Sequence, residues 1–478
     1  MVACVALAAL SLLVLGVSSG ADAWAWSVWG REILSLDLDP TNGPSWKPLP
    51  VLFTTPLALF GDAAPALWAV VARAGALLLL VLAFRLGSRL AGPLAGAFAT
   101  LALVATDLAD YAASADSEPL TAALLLGAFE RHLDARRGQA LGLLAVAALG
   151  RPEAWPLLLV YAAFLCVREP PLRLAVIPAV VLAPALWLGP PWLATGEALS
   201  AGSRANRLTE ASLAAADVPM LAVVGLMLEL VALPVLAGAI VAIAAAAAAL
   251  SGRARGAGLH AAAAALWLAA AIGAWVVLVG ILAQLGFTGN ERYLAPAVAA
   301  TCVLGGVGAA VIAHVIGAGS RPRTAITVVV LVALAAPFGL ERARNLAGFR
   351  AEASERARTI ATLDEAVARA GGPARVLACG GPAVARPGTQ GTLAWYLGVG
   401  HSKVERAFPP EQERLALSPP SVVFSRAERR FNLVAQRERL VAPGLEIAPL
   451  TGRRRGWQAF VVTQPGEARA RVARCRAN

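Results

Sequence analysis

A single carboxylate stands among tryptophans near the beginning of the chain, directly after its first apolar segment. Asp22 lies in residues 20–31, GADAWAWSVWGR. Tryptophans are enriched where a membrane meets water, with or without a function. A partly desolvated carboxylate at this depth can also accept a proton from an alcohol. The pattern leaves two interpretations open for Asp22, a general base and an ordinary interface residue.

A second acidic segment follows a later apolar run. Residues 107–118 contain Asp107, Asp110, Asp116 and Glu118. Carboxylate oxygens are the ligands that hard divalent cations prefer, and they also bind sugar hydroxyls. Asp116 and Glu118 equally suit the N-terminus of a helix that begins near Pro119. No spacing in the segment decides between a binding site and a helix cap.

Two charged groups are placed beside prolines. Lys47 lies in Trp-Lys-Pro-Leu-Pro at 46–50, which presents a cation rigidly, although an interface lysine extending toward water has the same pattern. Arg151 and Glu153 flank Pro152 between two apolar halves. Ionisable residues within a membrane region usually mark function, and an ion pair that fixes a hairpin is the alternative.

Further arginines occupy two other polar segments. Arg204 and Arg207 lie in a long polar segment, and Arg292 precedes Tyr293 in residues 289–296, GNERYLAP. An arginine at a helix N-terminus is a good partner for phosphate, because it is always charged and makes bidentate contacts. The combination of acids and cations suits a reaction between a phosphate-carrying lipid and a hydroxyl.

The elements that must position these groups are membrane helices. The chain of 478 residues is 58% hydrophobic and 15% charged, with a mean hydropathy of +0.67. A soluble domain is about half apolar and a quarter charged. Apolar runs long enough to approach the roughly 20 residues of a membrane span recur up to about residue 340. We predict eleven spans, near 1–20, 64–86, 91–106, 119–133, 139–150, 152–167, 172–190, 226–250, 258–286, 293–316 and 324–340.

The basic residues indicate an orientation for these spans. Short loops rich in arginine stay on the cytoplasmic side, and they alternate with longer, acidic loops if 139–167 forms a hairpin, re-entrant or crossing, that turns at Arg151. This places the N-terminus in the cytoplasm, residues 341–478 outside it, and the chain in the plasma membrane as a multi-pass protein. Cleavage of the first segment as a signal peptide is the alternative at that end. The net charge of +11 lies in loops and tail without an aromatic-basic motif, which excludes nucleic acid as a partner.

The sequence changes character at residue 340, which divides a transmembrane domain (1–340) from a soluble extracytoplasmic one (341–478). Residues 341–370 read as an amphipathic helix, 375–379 as a short strand, and 421–424 and 458–463 as further strands. A small α/β domain fits this order. Cys379 and Cys475 fall in the exported part, where a disulfide is permitted but not required by their spacing.

At these motifs residues 1–340 resemble the GT-C glycosyltransferases, membrane enzymes that use polyprenyl-phosphate sugars, and most of all actinobacterial members with an exported tail. The resemblance rests on Asp22 after the first span, the 46–50 run, Ser-Glu-Pro-Leu at 117–120, Arg-Pro-Glu at 151–153 and Arg-Tyr-Leu-x-Pro at 292–296. It implies an all-α bundle of about eleven transmembrane helices followed by the small α/β domain.

The resemblance also implies roles for the residues. Asp22 is expected to act as general base on an acceptor hydroxyl in an inverting transfer, with a glycan, lipid or protein as acceptor. Donor phosphate binding is expected of Arg292, Tyr293, Lys47, Arg204 and Arg207. Sugar or acceptor contacts are expected of Trp24, Trp26, Asp116, Glu118, Arg151 and Glu153.

The chain departs from the family at one point that bears on metal use. Many relatives carry paired acids after the first span, whereas Asp22 is followed by Ala23. No cofactor is therefore certain, and Mg or Mn, with Asp107 and Asp110 as ligands, stays open. Asp37, Asp39 and the acidic cluster at 107–118 are alternative bases.

Two other classes of function compete with the enzyme. A polytopic transporter or lipid flippase accounts for the spans, and so does an inert scaffold that anchors the tail. Transporters place their sites in broken helices of related halves, whereas here no repeat is visible and the ionisable residues gather in outer loops. The sequence favours the enzyme.

Overall fold

The protein is a helical membrane bundle that carries a small sheet near its C-terminus. The computed structural model describes residues 1–199, 212–252, 258–317, 320–386, 388–406, 417, 419–426, 432–434, 444–452 and 456–477, with the backbone alone for 342–347, 406 and 477. Arg204 and Arg207 lie outside the described residues. The all-α bundle and the C-terminal α/β region agree with the fold class predicted from the sequence.

The membrane part contains fourteen α-helices among the residues described up to 317. They are α1 Val2–Leu15, α2 Ala21–Leu34, α3 Pro48–Leu57, α4 Ala64–Ala91, α5 Pro93–Val104, α6 Leu108–Ala113, α7 Glu118–Leu133, α8 Arg137–Gly150, α9 Trp155–Arg168, α10 Arg173–Thr195, α11 Pro219–Leu230, α12 Leu233–Leu250, α13 Leu259–Gln284 and α14 Ala295–Gly317. Short 3₁₀ turns at Ala58–Ala63, Pro152–Ala154, Pro170–Leu172, Leu213–Ala215 and Glu291–Leu294 join some of them.

Six helical stretches among the described residues are long and apolar enough to cross a membrane. They are Pro48–Ala91, Pro170–Thr195, Leu233–Leu250, Leu259–Gln284, Glu291–Gly317 and Arg321–Glu341, and four shorter apolar helices accompany them. The predicted hairpin at 139–167 consists of α8 and α9 on either side of the turn Pro152–Ala154. Each has 14 residues and so a length of about 21 Å, short of the hydrocarbon thickness of about 30 Å.

Helices α2 and α3 lie between the first two predicted spans. The structure corrects one feature of the predicted topology. The predicted span 226–250 is broken, since Val231 and Ala232 are extended between α11 and α12. Pro234 lies in the first turn of α12, where its missing N–H removes no helical hydrogen bond, whereas it would break a helix interior.

Small residues let the central helices of the bundle approach closely. A side chain at Gly306 of α14 would collide with the backbone of α5 at Ala95 and Ala99, and one at Gly308 with the backbone of Gly238 on α12. Close packing of backbones across small residues is a main source of helix association in lipid, where no hydrophobic effect drives it. These contacts hold α14, the helix that follows Arg292, against α5 and α12.

A helix of 49 residues, α15 Arg321–Arg369, runs through the predicted boundary at residue 340. At about 1.5 Å per residue it is about 74 Å long, enough to cross a membrane and continue well beyond it. Its first part is the last apolar stretch, and its second part packs under the sheet. The soluble region is therefore joined to the bundle by a helix and not by a flexible linker.

The C-terminal region folds as a five-stranded sheet with helices. Its strands are β1 Gly381–Val384, β2 Glu405–Arg406, β3 Ser421–Arg426, β4 Glu446–Pro449 and β5 Trp457–Thr463, in the order β2-β1-β3-β5-β4. β1 is parallel to β2 and β3, and β5 is antiparallel to β3 and β4. The helices are α16 Pro373–Cys379, α17 Gln390–Leu397 and α18 Ala468–Ala477, with a 3₁₀ turn at His401–Lys403.

The predicted strands near 421–424 and 458–463 are confirmed, whereas the predicted strand at 375–379 is wrong. That segment is the helix α16. Pro373 in its first turn is suited to a helix N-terminus, and a short apolar run alone does not separate a strand from a buried helix. A disulfide between Cys379 and Cys475 joins α16 to α18, with the two Cα atoms 5.5 Å apart.

The C-terminal region packs directly on α2. The guanidinium of Arg31 donates to the carbonyl oxygens of Trp395, Ala394 and Val399 at 3.1, 3.1 and 2.7 Å, and so completes the C-terminal end of α17. The carboxylate of Glu32 accepts the backbone N–H of His401 at 2.9 Å. The helix that carries Asp22 is thus clamped from the water side.

Candidate active site

Asp22 lies in the first turn of α2, and hydrogen bonds from the chain before it fix that turn. The backbone N–H of Gly20 donates to the carbonyl oxygen of Ser114 at 2.8 Å, and the hydroxyl of Ser18 donates to that of Ala113 at 2.7 Å. These bonds tie the beginning of α2 to the loop that carries Asp116. The two acidic segments found in the sequence therefore meet.

Arg73 is the residue that holds the end of α1, a role that sequence reasoning missed. Its guanidinium is buried within apolar α4 and donates to the carbonyl oxygen of Gly16 at 2.9 Å and to the hydroxyls of Ser11 and Ser18 at 3.1 and 3.2 Å. A cation at a helix C-terminus satisfies free carbonyl groups and the helix dipole. The signal in the sequence was a lone arginine inside an apolar run.

Arg292 makes direct contact with Asp22. Its Nη1 donates to Oδ2 of Asp22 at 2.7 Å, across 270 residues of chain, and the two side chains are 28% and 17% exposed. Arg292 belongs to the turn Glu291–Leu294 before α14, which Trp275 of α13 anchors by donating from Nε1 to the carbonyl oxygen of Tyr293 at 2.8 Å. The carboxylate and the cation that the sequence placed in distant loops form one ion pair.

A buried network of charges lies beside this pair. Lys47 donates from Nζ to Oε1 of Glu118 at 2.8 Å, and Arg151 donates to the same oxygen. Nη1 of Arg151 is 3.7 Å from Oε1 of Glu153, and its guanidinium lies over the ring of Tyr293 at 4.3 Å. All four ionic side chains are at most 7% exposed. Glu118 therefore holds two cations in place.

A glycine permits the close approach that this network needs. The last residue of α8, Gly150, lies against Thr121 and Leu49, and a methyl group there would overlap the Thr121 hydroxyl. Arg151 comes next in the chain and is carried to within contact of Glu118, three residues before Thr121. A larger residue at 150 would push Arg151 away from the network.

Asp116 faces an open cavity next to Arg292. The cavity, of about 470 Å³, is lined by Asp116, Arg292, Tyr111, Glu291, Asn290, Gly289, Leu213 and Leu226. Burial, together with the nearby carboxylates Glu118 and Asp22 and against the opposing effect of Arg292, raises the pKa of Asp116 from 3.8 to about 7. A group with this pKa gains or loses its proton near neutral pH.

A larger, mostly apolar cavity of about 800 Å³ lies between α4, α7, α8, α9, α13 and α14. It is partly open, since Val160 and Trp267 in its wall are exposed. Its wall includes Trp275 and Pro296 at one end and His132 and His260 at the other. His260 and Trp275 are 15 residues apart on α13, a distance of about 23 Å along the helix. The Trp275 end lies beside Tyr293, whose carbonyl oxygen Trp275 binds.

The expected roles of Trp24 and Trp26 as sugar-stacking walls are wrong, because both rings are enclosed. Trp24 is 3% exposed and packs on Trp395 and Tyr396 of the C-terminal region. Trp26 is fully buried against Trp68. Helix α2 contributes Asp22 in its N-terminal turn to the site, and its tryptophan rings pack inside the protein.

Lys47 lies in the buried network, and its expected contact with a donor phosphate stays a prediction. Its Nζ contacts Glu118 and lies over the ring of Trp26 at 5.2 Å, and it does not line the 470 Å³ cavity. Burial lowers the pKa of Lys47. Lys47 therefore binds the Glu118 carboxylate inside the network.

The remaining candidate acids lie away from the Asp22 carboxylate. Asp37 is exposed, and Asp39 accepts hydrogen bonds from Thr41 within its own loop. Asp107 lines a separate small pocket with Tyr111 and Glu291. Among the described residues no group of three or more His, Cys, Asp or Glu side chains is arranged to hold a metal. A divalent metal at Asp107 and Asp110 stays a prediction, and no chemical step is assigned to one.

The assembled site combines a carboxylate, a set of cations and two cavities of different character. Asp22 is able to accept a proton, Arg292 and Arg151 are able to stabilise phosphate charge, and the apolar cavity is able to hold a long hydrocarbon chain. The polar cavity beside Asp116 leaves room for a hydrophilic group. The combination suits chemistry between a lipid-linked phosphate and a water-soluble nucleophile.

Comparison with known proteins identifies the fold. No family model and no curated protein matches the chain. ArnT from Cupriavidus metallidurans bound to undecaprenyl phosphate matches 98% of this chain and 98% of its own at 15% identity, with a TM-score of 0.51. The apo form of that protein (14% identity, 95% and 96% covered, TM-score 0.49) and the Archaeoglobus fulgidus oligosaccharyltransferase tethered with an acceptor peptide (11%, 94% and 69%, TM-score 0.48) also match.

ArnT is a GT-C glycosyltransferase, and the likeness to its lipid-bound form shows that the chain has the GT-C fold. The fold expected from the motifs at Asp22 and Arg292 is confirmed. The likeness to actinobacterial members stays a prediction.

Proposed function

We propose that this GT-C protein is an inverting glycosyltransferase that moves a sugar from a polyprenyl-phosphate donor to a hydroxyl of a cell-envelope glycan, lipid or protein at the outer membrane face. The observation that carries the proposal is the contact between Asp22 and Arg292 next to the Trp275 end of the apolar cavity. A base, a phosphate partner and a lipid compartment lie together there. The undecaprenyl phosphate bound to the structurally similar ArnT supports the choice of donor.

The donor's hydrocarbon chain fits the 800 Å³ cavity. Each buried CH₂ group contributes about 0.8 kcal/mol, so even part of a polyprenyl chain gives substantial binding energy. The phosphate then lies near Arg292 and Tyr293, since Trp275 at this end of the cavity donates to the Tyr293 carbonyl oxygen, and near Arg151, whose guanidinium lies over the Tyr293 ring. In this assignment the N-terminus of α14, with the turn before it, also faces the phosphate.

The transfer itself requires one proton acceptor and one stabilised leaving group. Asp22 accepts the proton of the acceptor hydroxyl while its oxygen attacks the anomeric carbon from the side opposite the phosphate. The bond between that carbon and the phosphate oxygen breaks, and its electron pair leaves with the lipid phosphate. Arg292 and Arg151 stabilise the charge that develops on the leaving phosphate, and the sugar's configuration inverts.

The ion pair between Asp22 and Arg292 makes donor binding precede activation of the acceptor. Without donor, Arg292 holds the carboxylate of Asp22 at 2.7 Å. A donor phosphate competes with Asp22 for the guanidinium, because both are anions that seek its bidentate face. Donor binding thereby releases Asp22 to meet the acceptor, and the base becomes available when the reaction can proceed.

The donor site is tested by filling the apolar cavity. Ala271 of α13 lines the cavity and Ala270 next to it is exposed on the outer surface of the helix. We expect Ala271→Trp to weaken binding of undecaprenyl phosphate by about tenfold or more, since it replaces lipid volume with a side chain, and Ala270→Trp to leave binding unchanged. The measurement is the affinity of the full chain in nanodiscs for fluorescent undecaprenyl phosphate. Equal affinities for the two variants would show that the lipid does not bind in this cavity.

A further inference from the structure

Four polar residues line the 470 Å³ cavity beside Arg292 and have side chains without a hydrogen bond or ion pair to the other described residues. They are Tyr111, Asp116, Asn290 and Glu291. Tyr111 and Asp116 are largely buried, and buried polar groups are normally hydrogen-bonded to protein, water or a ligand. The four side chains therefore have hydrogen-bonding capacity left for a molecule in the cavity.

The lining of this cavity both donates and accepts hydrogen bonds. Burial raises the pKa of Tyr111, so its hydroxyl stays protonated and able to donate. The amide of Asn290 donates and accepts, and ionised carboxylates accept alone. Leu213 and Leu226 add an apolar part to the wall. An uncharged sugar matches this lining, because its hydroxyls donate and accept while its ring carbons present an apolar face.

The charges that line the cavity are mainly negative. Asp116 and Glu291 are acids, and Arg292, the one cation among the described lining residues, is paired with Asp22 at 2.7 Å. In the proposed function Arg292 turns to the donor phosphate. A further anionic group in the cavity would then lie beside two carboxylates with no other cation among these lining residues. The burial of Asp116 makes this repulsion stronger than it is in water.

The cavity adjoins the turn that carries Asp22 and has room for two sugar rings. A methyl group at Gly20, two residues before Asp22, would lie 4.0 Å from Oδ1 of Asp116. Pockets of about 300–1,000 Å³ enclose drug-sized ligands, and the donor's sugar together with the terminal sugar of an acceptor is a ligand of that size. A sugar bound beside Asp116 therefore has its hydroxyls close to Asp22.

We propose that this polar cavity binds the uncharged terminal sugar of a carbohydrate acceptor and excludes acceptor ends that carry a phosphate or a carboxylate. The proposal rests on the glycosyl transfer proposed above, and it narrows the acceptors named there to those that end in a neutral sugar. Tyr111 and Asn290 hold the terminal sugar by its hydroxyls. The carboxylates of Asp116 and Glu291 accept hydrogen bonds from a neutral sugar and repel an anionic one.

The test compares matched neutral and anionic sugars on the full chain in phosphatidylcholine nanodiscs. The probes are the methyl glycosides of glucose, galactose, mannose and arabinose, each paired with the methyl glycoside of its uronic acid. Saturation-transfer NMR gives their affinities at pH 8, above the pKa of Asp116, and at constant ionic strength. We expect at least one neutral glycoside to bind saturably and its uronate to bind about tenfold more weakly or worse.

Variants separate the effect of charge from the effect of hydrogen bonding. Asp116→Asn and Glu291→Gln each remove one charge and keep a polar side chain, so we expect each to reduce the disadvantage of the uronate by about threefold or more. Tyr111→Phe removes a hydroxyl alone and is expected to weaken binding of the neutral glycoside by about threefold or more. The control Asp37→Asn removes a charge from an exposed position outside the cavity and is expected to change neither affinity. An unfolding midpoint no lower than that of wild type shows that a variant is folded.

The proposal is overturned if no neutral glycoside binds, if the uronates bind as tightly, or if neither charge-removing variant changes the ratio of the two affinities. Ala271→Trp distinguishes it from the proposed function. That variant is expected to lose undecaprenyl phosphate binding and to keep the preference for the neutral sugar. If it loses the lipid while neutral and anionic sugars bind equally, the acceptor preference is wrong and the donor site stays in place.

Discussion

The raised pKa of Asp116 makes a quantitative prediction for Asp116→Asn. The folded protein raises this pKa from 3.8 to about 7, mainly through burial. Because the pKa is raised, the contribution of Asp116 to the free energy of unfolding is most favourable below about pH 4 and is lost as pH rises toward 7. Three pKa units correspond to about 4 kcal/mol, which is the largest cost of ionised Asp116 above neutral pH.

Asparagine has nearly the same shape and carries no charge, so the variant avoids this cost. We expect Asp116→Asn to be more stable than wild type by up to about 4 kcal/mol at pH 8, and equal to it near pH 4. The measurement is the unfolding midpoint in detergent, followed by tryptophan fluorescence from acid to mildly alkaline pH. Burial also raises the pKa of Glu32 to about 7. Asp116→Asn therefore removes one part of the pH dependence of stability, and the part due to Glu32 stays. Parallel curves for variant and wild type would refute the reasoning.

The remaining predictions concern the buried charges and the clamp on α2. Glu118→Gln leaves buried Lys47 and Arg151 without their common acid and is expected to lower the free energy of unfolding by about 3–5 kcal/mol. The control Glu291→Gln, at an exposed carboxyl of the polar cavity, is expected to have little effect. Equal unfolding midpoints for these two variants would contradict a stabilising role for the network. The burial that raises the pKa of Glu32 to about 7 disfavours its ionised form, so contact between α2 and the C-terminal region is expected to weaken as pH rises through 7. Limited proteolysis of that region should then increase with pH in wild type and stay constant in Glu32→Gln, and a pH-independent wild type would refute this.

The sequence was sufficient for the membrane bundle and for bringing Asp22 and Arg292 into one hypothesis. Long apolar runs dictate helices, because no other structure satisfies the backbone in lipid. Arg292 before a proline-containing span and Asp22 after the first one were visible as charges at the ends of such runs. Their contact at 2.7 Å is the outcome that matters most for the site.

Other features depended on packing that one sequence does not reveal. The tryptophans after Asp22 suggested a ligand wall, but α2 is a buried helix clamped by Arg31 and Glu32, and its rings fill the interior. Lys47 looked like a free cation, yet Glu118 was already its partner across 71 residues of chain. Long-range pairs such as this one have no local signature.

The central claim is tested most directly by sugar transfer in membranes that contain the full chain. Radiolabelled polyprenyl-phosphate sugars serve as donors, and incorporation into cell-envelope material is measured for wild type, Asp22→Asn and the control Asp37→Asn, whose carboxyl is exposed in the same loop. With equal amounts of inserted protein, Asp22→Asn should lose transfer by about a hundredfold or more, while Asp37→Asn retains it. Near-normal transfer by Asp22→Asn would contradict the assignment of this carboxylate as the base.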